Sequence, residues 1–211
     1  MSPIRLHCFG ESGNAYKPAL MMELCGLAWT AVPVDFFNGE SRSPAWRAAV
    51  NEMGEVPVLE HDGRKLTQSG VMLDYLARLT GKFGGANDAE REDIWRWILF
   101  DNHKFTASVS TLRFLFCFVN TGETKVTEFL RGRAIAAAAI VDRHLSESNF
   151  MIGARPTIAD FSLCGYLYYP EDYGIDWATY PHIQRWLSAL KALPGWRAPY
   201  ELMPRAPDRR R

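Results

Sequence analysis

Residues Gly54 to Gly70 read GEVPVLEHDGRKLTQSG, and the proline in this stretch decides how the rest of the chain is read. Val56 to Glu60 and Arg64 to Thr67 are short β-type runs on either side of His61-Asp62-Gly63, a hairpin signal. Proline cannot donate to a β-ladder, so within sheets it is confined to edges, strand starts and bulges. Two readings of Pro57 stand side by side. It is an ordinary start to an edge strand, or the Val56–Pro57 bond is cis and turns the N–H and C=O of Val56 outward. In the second case Val56 offers a docking edge to an extended peptide.

Just past the hairpin, Gln68-Ser69 opens a helix directly after a strand. A helix N-terminus presents free N–H groups and partial positive charge, a natural seat for a carboxylate. The plain alternative is Ser69 as N-cap. The helix runs from Ser69 to Leu79, with Val71, Leu73, Leu76 and Leu79 as its apolar residues.

Upstream, Ile4 to Phe9 reads as a strand, Lys17 to Leu24 as a helix stopped near Gly26, and Trp29 to Phe36 as a second strand. Ser43-Pro44 opens a short helix, with serine as cap and proline in the first helical position. The order β-α-β-α-β-β-α makes a small α/β unit over residues 1–80. Residues 81–88 are a Gly-rich linker in which Asp88 is placed to cap the next helix. Beyond it, strand signals vanish. A long proline-free helix is expected from Ala89 to about Val119, and others at Lys125–Leu145, Ile158–Tyr168 and His182–Leu193. Residues 89–211 thus form an all-helical C-terminal region.

At 211 residues, the chain suits one large domain or two small ones. Its 47% apolar and 23% charged residues are those of an ordinary globular protein, and its 24 cationic and 24 anionic side chains cancel. A neutral balance gives no reason to expect nucleic acid or an anionic membrane as partner. The closing Asp208-Arg-Arg-Arg211 is read as a solvated terminus. No apolar run has membrane-spanning length, and the N-terminus carries no secretory signal. Cys8, Cys25, Cys117 and Cys164 show no metal-ligand spacing and sit in apolar runs, as buried thiols do. A reducing cytoplasm follows as the expected location.

The turn Gly10-Glu-Ser-Gly-Asn-Ala-Tyr-Lys17 joins the first strand to the first helix with small and polar residues. Ser12 lacks the surroundings of an esterase nucleophile. It is instead placed to donate a hydrogen bond to a bound thiolate, helped by the adjacent helix N-terminus. Thr157-x-x-Asp160 fits a capping box with aspartate in place of the usual glutamate, a folding element that needs no ligand.

Taken together, these stretches resemble the cytosolic glutathione transferase superfamily. Ser12-x-Asn14-x-x-Lys17 with Glu23-Leu-Cys-Gly-Leu27 is similar to the family's first turn and helix. Asn51-Glu-Met-Gly-Glu-Val-Pro57-Val-Leu is similar to its N-P-x-G-x-V-P-x-L segment, where the proline is cis. Gln68-Ser69 stands where relatives have Glu-Ser or Gln-Ser, and Gly153-Ala-Arg-Pro-Thr157-Ile-Ala-Asp160 is similar to a G-x-x-x-T-x-A-D element of the helical domain. Glu52 in place of proline, Pro18 in place of an aliphatic residue, and Gly70 after Ser69 depart from that pattern.

The resemblance implies a thioredoxin-like α/β N-terminal domain, an all-α C-terminal domain and a homodimer. It implies an enzyme that conjugates the thiolate of reduced glutathione to an electrophilic, largely apolar small molecule in an apolar cleft, with no metal. Ser12, Asn14 and Tyr16 are the catalytic candidates, with Ser12 first. Val56, presented by cis-Pro57, would meet the cysteinyl backbone; Gln68 and Ser69 would take the γ-glutamyl end. Glu55 joins this set, and Arg42 would pair with the glycine carboxylate. Asp101, in the polar island Asp101-Asn-His-Lys104, is the candidate to reach the γ-glutamyl amine across a dimer interface, beside the reading of a solvated or interhelical charge; His103 reads as a base or, preferably, a satisfied interface residue. Phe9, Phe105, Phe114 and Tyr166 are candidates to line the electrophile pocket, beside the reading that such aromatics are core. Two alternatives remain: a non-catalytic glutathione-binding scaffold, or a sibling chemistry such as glutathione-dependent isomerisation, dehalogenation, peroxide reduction or ether cleavage.

Overall fold

The computed structural model describes residues 3–207; the basic tail from Asp208 lies outside them. The chain divides into two compact units: one built from the N-terminal residues to Lys82 together with the segment from Leu193 on, the other Phe83–Ala192. The expected C-terminal domain therefore ends early, because the segment after residue 192 packs with the first unit. Gly10 N–H donates to the Pro204 carbonyl at 2.6 Å, and Ala206 N–H to Glu11 Oε2 at 3.0 Å. A Cβ on Gly10 would stand 3.1 Å from both Met203 O and the Tyr200 ring, so a side chain there would have to push the returning segment aside by a few tenths of an ångström.

The first unit holds a four-stranded sheet in the order β2-β1-β3-β4, from β1 (Ile4–Cys8), β2 (Trp29–Pro33), β3 (Val58–His61) and β4 (Arg64–Leu66). β1 pairs parallel with β2 and antiparallel with β3, which pairs antiparallel with β4. The hairpin turn has Asp62 at φ 48° and Gly63 at φ 71°, the left-handed pair of a two-residue turn. Helices α1 (Gly13–Cys25) and α3 (Ser69–Thr80) pack together, burying Leu20, Met21, Met72, Leu73 and Leu76. α2 (Pro44–Ala49) contributes Trp46 to a separate cluster with Val34 and Val58. α1 starts four residues before the expected Lys17, because Ser12 already caps Gly13 onward. Pro18 thus lies inside the helix, where it removes the N–H that would meet the Asn14 carbonyl.

The second unit is helical: α4 (Asp88–Phe100), α5 (Thr106–Arg113), α6 (Lys125–Glu147), α7 (Ile158–Leu163) and α8 (Pro181–Lys191). Asn87, not Asp88, caps α4, its Oδ1 accepting from Glu90 N–H at 2.9 Å. The long helix expected over 89–119 is continuous but carries two π-helical segments, Asp101–Phe105 and Phe114–Val119. The Thr157–Asp160 capping box forms as expected. Asp160 is fully buried and also accepts from Met151 N–H and Trp186 Nε1–H, both at 2.8 Å. Burial pushes its carboxyl above the ordinary range, against those hydrogen bonds. A last short helix, α9 (Pro199–Leu202), belongs to the first unit and packs on α1. No helix among the described residues is long and apolar enough to cross a membrane.

Candidate functional site

Strand register brings four turns of the first unit to one end of the sheet. Val58, the start of β3, pairs with His7 near the end of β1, and Leu66, the end of β4, pairs with Leu59. Cys8 faces Pro33, the end of β2. The turn after β1 (Ser12), the residues before β3 (Glu55 to Pro57), the start of α3 (Gln68-Ser69) and the chain leaving β2 toward Arg42 all share this end.

Ser12 is nearly buried, and its Oγ accepts from Ala15 N–H at 3.2 Å. No acceptor among the described residues takes its hydroxyl proton. The first amides of α1, those of Gly13 and Asn14, have no partner within the helix. Asn14 is half-buried with its Oδ1 covered and unbonded among the described residues. Tyr16 is different: its ring is fully buried and its hydroxyl donates to the Arg197 carbonyl at 2.8 Å. It packs α1 against the C-terminal segment, which corrects its place among the catalytic candidates. Its hydroxyl meets the peptide backbone because α1 begins at Gly13 and turns residue 16 inward.

The Val56–Pro57 bond is cis, and Val56 precedes the first ladder pair, so its N–H and C=O take no part in the sheet. Asn51, to which no role had been assigned, shapes this turn. It is buried, donates through Nδ2 to the Glu55 carbonyl at 3.0 Å, and accepts from Met53 N–H at 3.1 Å. Its signal was its place at the head of the N-x-x-G-x-V-P run. Gly54 has φ 70°, and a side chain there would also run into the Arg47 guanidinium at 2.6 Å.

Gln68 Nε2 donates to Glu55 Oε2 at 2.9 Å, joining two expected site residues directly. Gln68 sits at the N-cap of α3 with φ 65° and ψ 117°, a backbone that an ordinary side chain rarely adopts. With its side chain turned to Glu55, it caps nothing. Ser69 is the first helical residue rather than the N-cap, correcting that alternative. The leading amides of α3 are thereby left to face an incoming anion.

Arg42 is exposed at the end of a short 3₁₀ turn (Glu40–Arg42), its guanidinium 5.7 Å from the Phe36 ring centre. Phe9 stacks on Phe36 at 4.4 Å and meets Phe37 edge-on at 5.9 Å, so it belongs to an aromatic cluster beside the turn. Cys8 is buried beneath, and burial pushes its thiol up to about 12.

The remaining candidates lie in the second unit. Asp101 is fully buried and accepts from Thr106 Oγ1–H and Ser162 Oγ–H, each at 2.6 Å. A carboxylate enclosed in this way does not reach across a surface, which corrects the expected interface role. The π-helical turn beginning at Asp101 moves it off the polar face where its neighbours Asn102, His103 and Lys104 remain exposed. Phe105 is core, edge-on to Trp177 at 6.0 Å. Tyr166 is nearly buried beside Tyr169, and Phe114 is half-buried in the second π-helical segment. Among the described residues no three His, Cys, Asp or Glu side chains gather in a metal-binding group.

A thioredoxin-like α/β unit with a cis-proline before its third strand, followed by a helical unit, defines a class of protein, and comparison with known proteins gives the family. Residues 12–79 match the family described as "Glutathione S-transferase, N-terminal domain". Residues 109–194 match "Glutathione S-transferase, C-terminal domain". A solved structure of a possible glutathione S-transferase from Rhodopseudomonas palustris is 31% identical, with a TM-score of 0.87 over 94% of this chain and 98% of that one. A maleylacetoacetate isomerase of Rhizobium meliloti (strain 1021) is 29% identical over 184 residues, 83% of this chain and 85% of its own. A glutathione transferase homologue from Lodderomyces elongisporus, solved with two glutathiones per subunit, shares the fold at TM-score 0.85 and 23% identity, over 97% of this chain and 100% of its own. The chain belongs to the cytosolic glutathione transferase superfamily.

Proposed function

We propose that the chain binds reduced glutathione at the shared end of the first unit's sheet and conjugates its thiolate to an electrophilic, largely apolar small molecule. The observation that carries this reading is the spare Ser12 hydroxyl beside the unpartnered first amides of α1. A hydrogen bond from Ser12 and the partial positive charge of the helix N-terminus both favour the anionic sulfur. Val56, free of the ladder, pairs with the cysteinyl backbone; Gln68, Ser69 and the open amides of α3 take the γ-glutamyl carboxylate. Glu55, held by Gln68, faces the γ-glutamyl amine, and Arg42 pairs with the glycine carboxylate. The thiolate forms a bond to the electrophilic carbon, whose leaving group departs with the electron pair; orientation supplies most of the rate. Phe9, in the aromatic cluster beside the Ser12 turn, is the residue of this unit assigned to the electrophile.

Isomerisation is the second reading, favoured by the name of the Rhizobium relative. There the sulfur adds to a conjugated double bond and leaves again after rotation, so glutathione is regenerated. We further assign a homodimer, supported by exposed Leu99, Val126, Phe129, Ile135 and Ile140 on the helical unit. A cytoplasmic location accords with four cysteines that form no disulfide among the described residues.

The test is a glutathione titration followed by thiolate ultraviolet absorbance across pH, on the natural chain and on Ser12→Ala. Ionisation near neutral pH that moves upward in Ser12→Ala supports the enzyme. Binding with the thiol still protonated favours a scaffold, and no binding removes the assignment. Product analysis with an aryl halide and with a cis-dienoic acid separates conjugation from isomerisation.

A further inference from the structure

We propose that the tip of the β3–β4 hairpin carries a second site, for a small oxyanion. A recess of about 320 Å³ opens there, lined by Arg5, Glu60, His61, Asp62, Arg64 and Lys65 among others. It lies at the end of β3 away from Val56, so it is separate from the end of the sheet assigned to glutathione.

Two donors define it. His61 is only 2% exposed, its Nδ1 lies 2.6 Å from the Tyr75 hydroxyl, and its Nε2 is buried without a hydrogen-bond partner among the described residues. Asp62 Oδ2 stands 3.8 Å from that nitrogen, too far for a hydrogen bond. A carboxylate on that side favours the tautomer with the proton on Nε2, so the Tyr75 hydroxyl donates to Nδ1. The second donor is Arg64, whose guanidinium lies over the ring of the same Tyr75, 5.4 Å from its centre, with no carboxylate partner among the described residues. One tyrosine thus touches both side chains, and both line the recess; an imidazole N–H with a guanidinium fork is the combination that suits phosphate or carboxylate oxygens.

The other charges do not cancel these. Glu60 is already matched by Arg5 at 3.1 Å and by Lys65 at 3.9 Å. Asp62 is the competitor: its carboxylate stands on the Nε2–H side of His61, beyond hydrogen-bond distance. Its side chain is 60% exposed on the turn, so an incoming anion displaces it into water.

Inorganic phosphate titrated into the full chain at constant ionic strength, followed by imidazole and amide NMR signals, tests the site. The expected result is a saturable shift centred on residues 61–64. Arg64→Ala, an exposed change, is expected to weaken binding about tenfold. Asp62→Asn is expected to tighten it about threefold by removing the competing charge. Shifts that grow linearly with phosphate, that sodium chloride reproduces, or that both variants leave unchanged would overturn the proposal.

Discussion

Ser12 and Thr157 do the same local work and end differently. Each is an N-cap hydroxyl at the head of a helix, Ser12 in the first unit and Thr157 in the second. Thr157 Oγ1 accepts from Ala159 N–H at 3.3 Å and donates to Asp160 Oδ2 at 3.0 Å. Asp160, three residues on, takes the hydroxyl proton and the Thr157 N–H as well. Three residues after Ser12 stands Ala15, whose side chain can accept nothing, so the serine proton is left over. A cap with an acid at N3 is closed and serves stability; a cap with alanine at N3 keeps a donor to offer.

The most forceful way to break this contrast is Asp160→Ala, which strips partners from Thr157, Met151 and Trp186 within the core. A stability loss of at least about 3 kcal/mol is expected in urea denaturation. A loss below about 1 kcal/mol would mean that the closed cap is not what holds the second unit. Asp101→Ala, leaving two buried hydroxyls without their acceptor, is expected to cost about 2 kcal/mol while glutathione titration stays unchanged. Weaker glutathione binding would return Asp101 to the site.

Alkaline pH sharpens the comparison between the units. Burial raises Cys8 from 9.0 to about 12 in the first unit and Tyr173 from 10.0 to about 12 in the second. Between those values the unfolded chain has lost a proton that the folded chain keeps, so stability falls as pH rises. The slope from each group is about 1.4 kcal/mol per pH unit, beginning near pH 9 for Cys8 and near 10 for Tyr173. Denaturation midpoints measured from pH 8 to 11 check this, and Cys8→Ala removes the earlier component. Ser12→Ala is the smallest change in stability, about 1 kcal/mol, yet it is the one expected to move glutathione ionisation. If it leaves the thiolate absorbance unmoved, the spare proton has no partner in the sulfur.

Much of this was legible in the chain because the informative signals are local. The hairpin and the Thr157–Asp160 box each rest on a few adjacent residues, whereas the cis bond at Pro57 stands level with an ordinary edge-strand start until the family resemblance favours it. Asp101 and Tyr16 were misplaced because their fates depend on helix phase. A π-helical turn rotates Asp101 inward, and a helix that starts at Gly13 turns Tyr16 toward a segment far along the chain. Likewise, the bond between Glu55 and Gln68 needs the hairpin to fold back before the two meet, so no window of sequence contains it.

The return of the C-terminal segment sets the order in which the chain can be finished during synthesis. The helical unit is continuous from Phe83 to Ala192 and is complete once those residues have emerged. The first unit waits longer: the carbonyl that meets Tyr16 belongs to Arg197, the one that meets Gly10 belongs to Pro204, and the amide on Glu11 lies 195 residues downstream. The turn that carries Ser12 is made first and closed last, so a ribosome stalled before Arg197 would hold a finished second half and an unfinished first one.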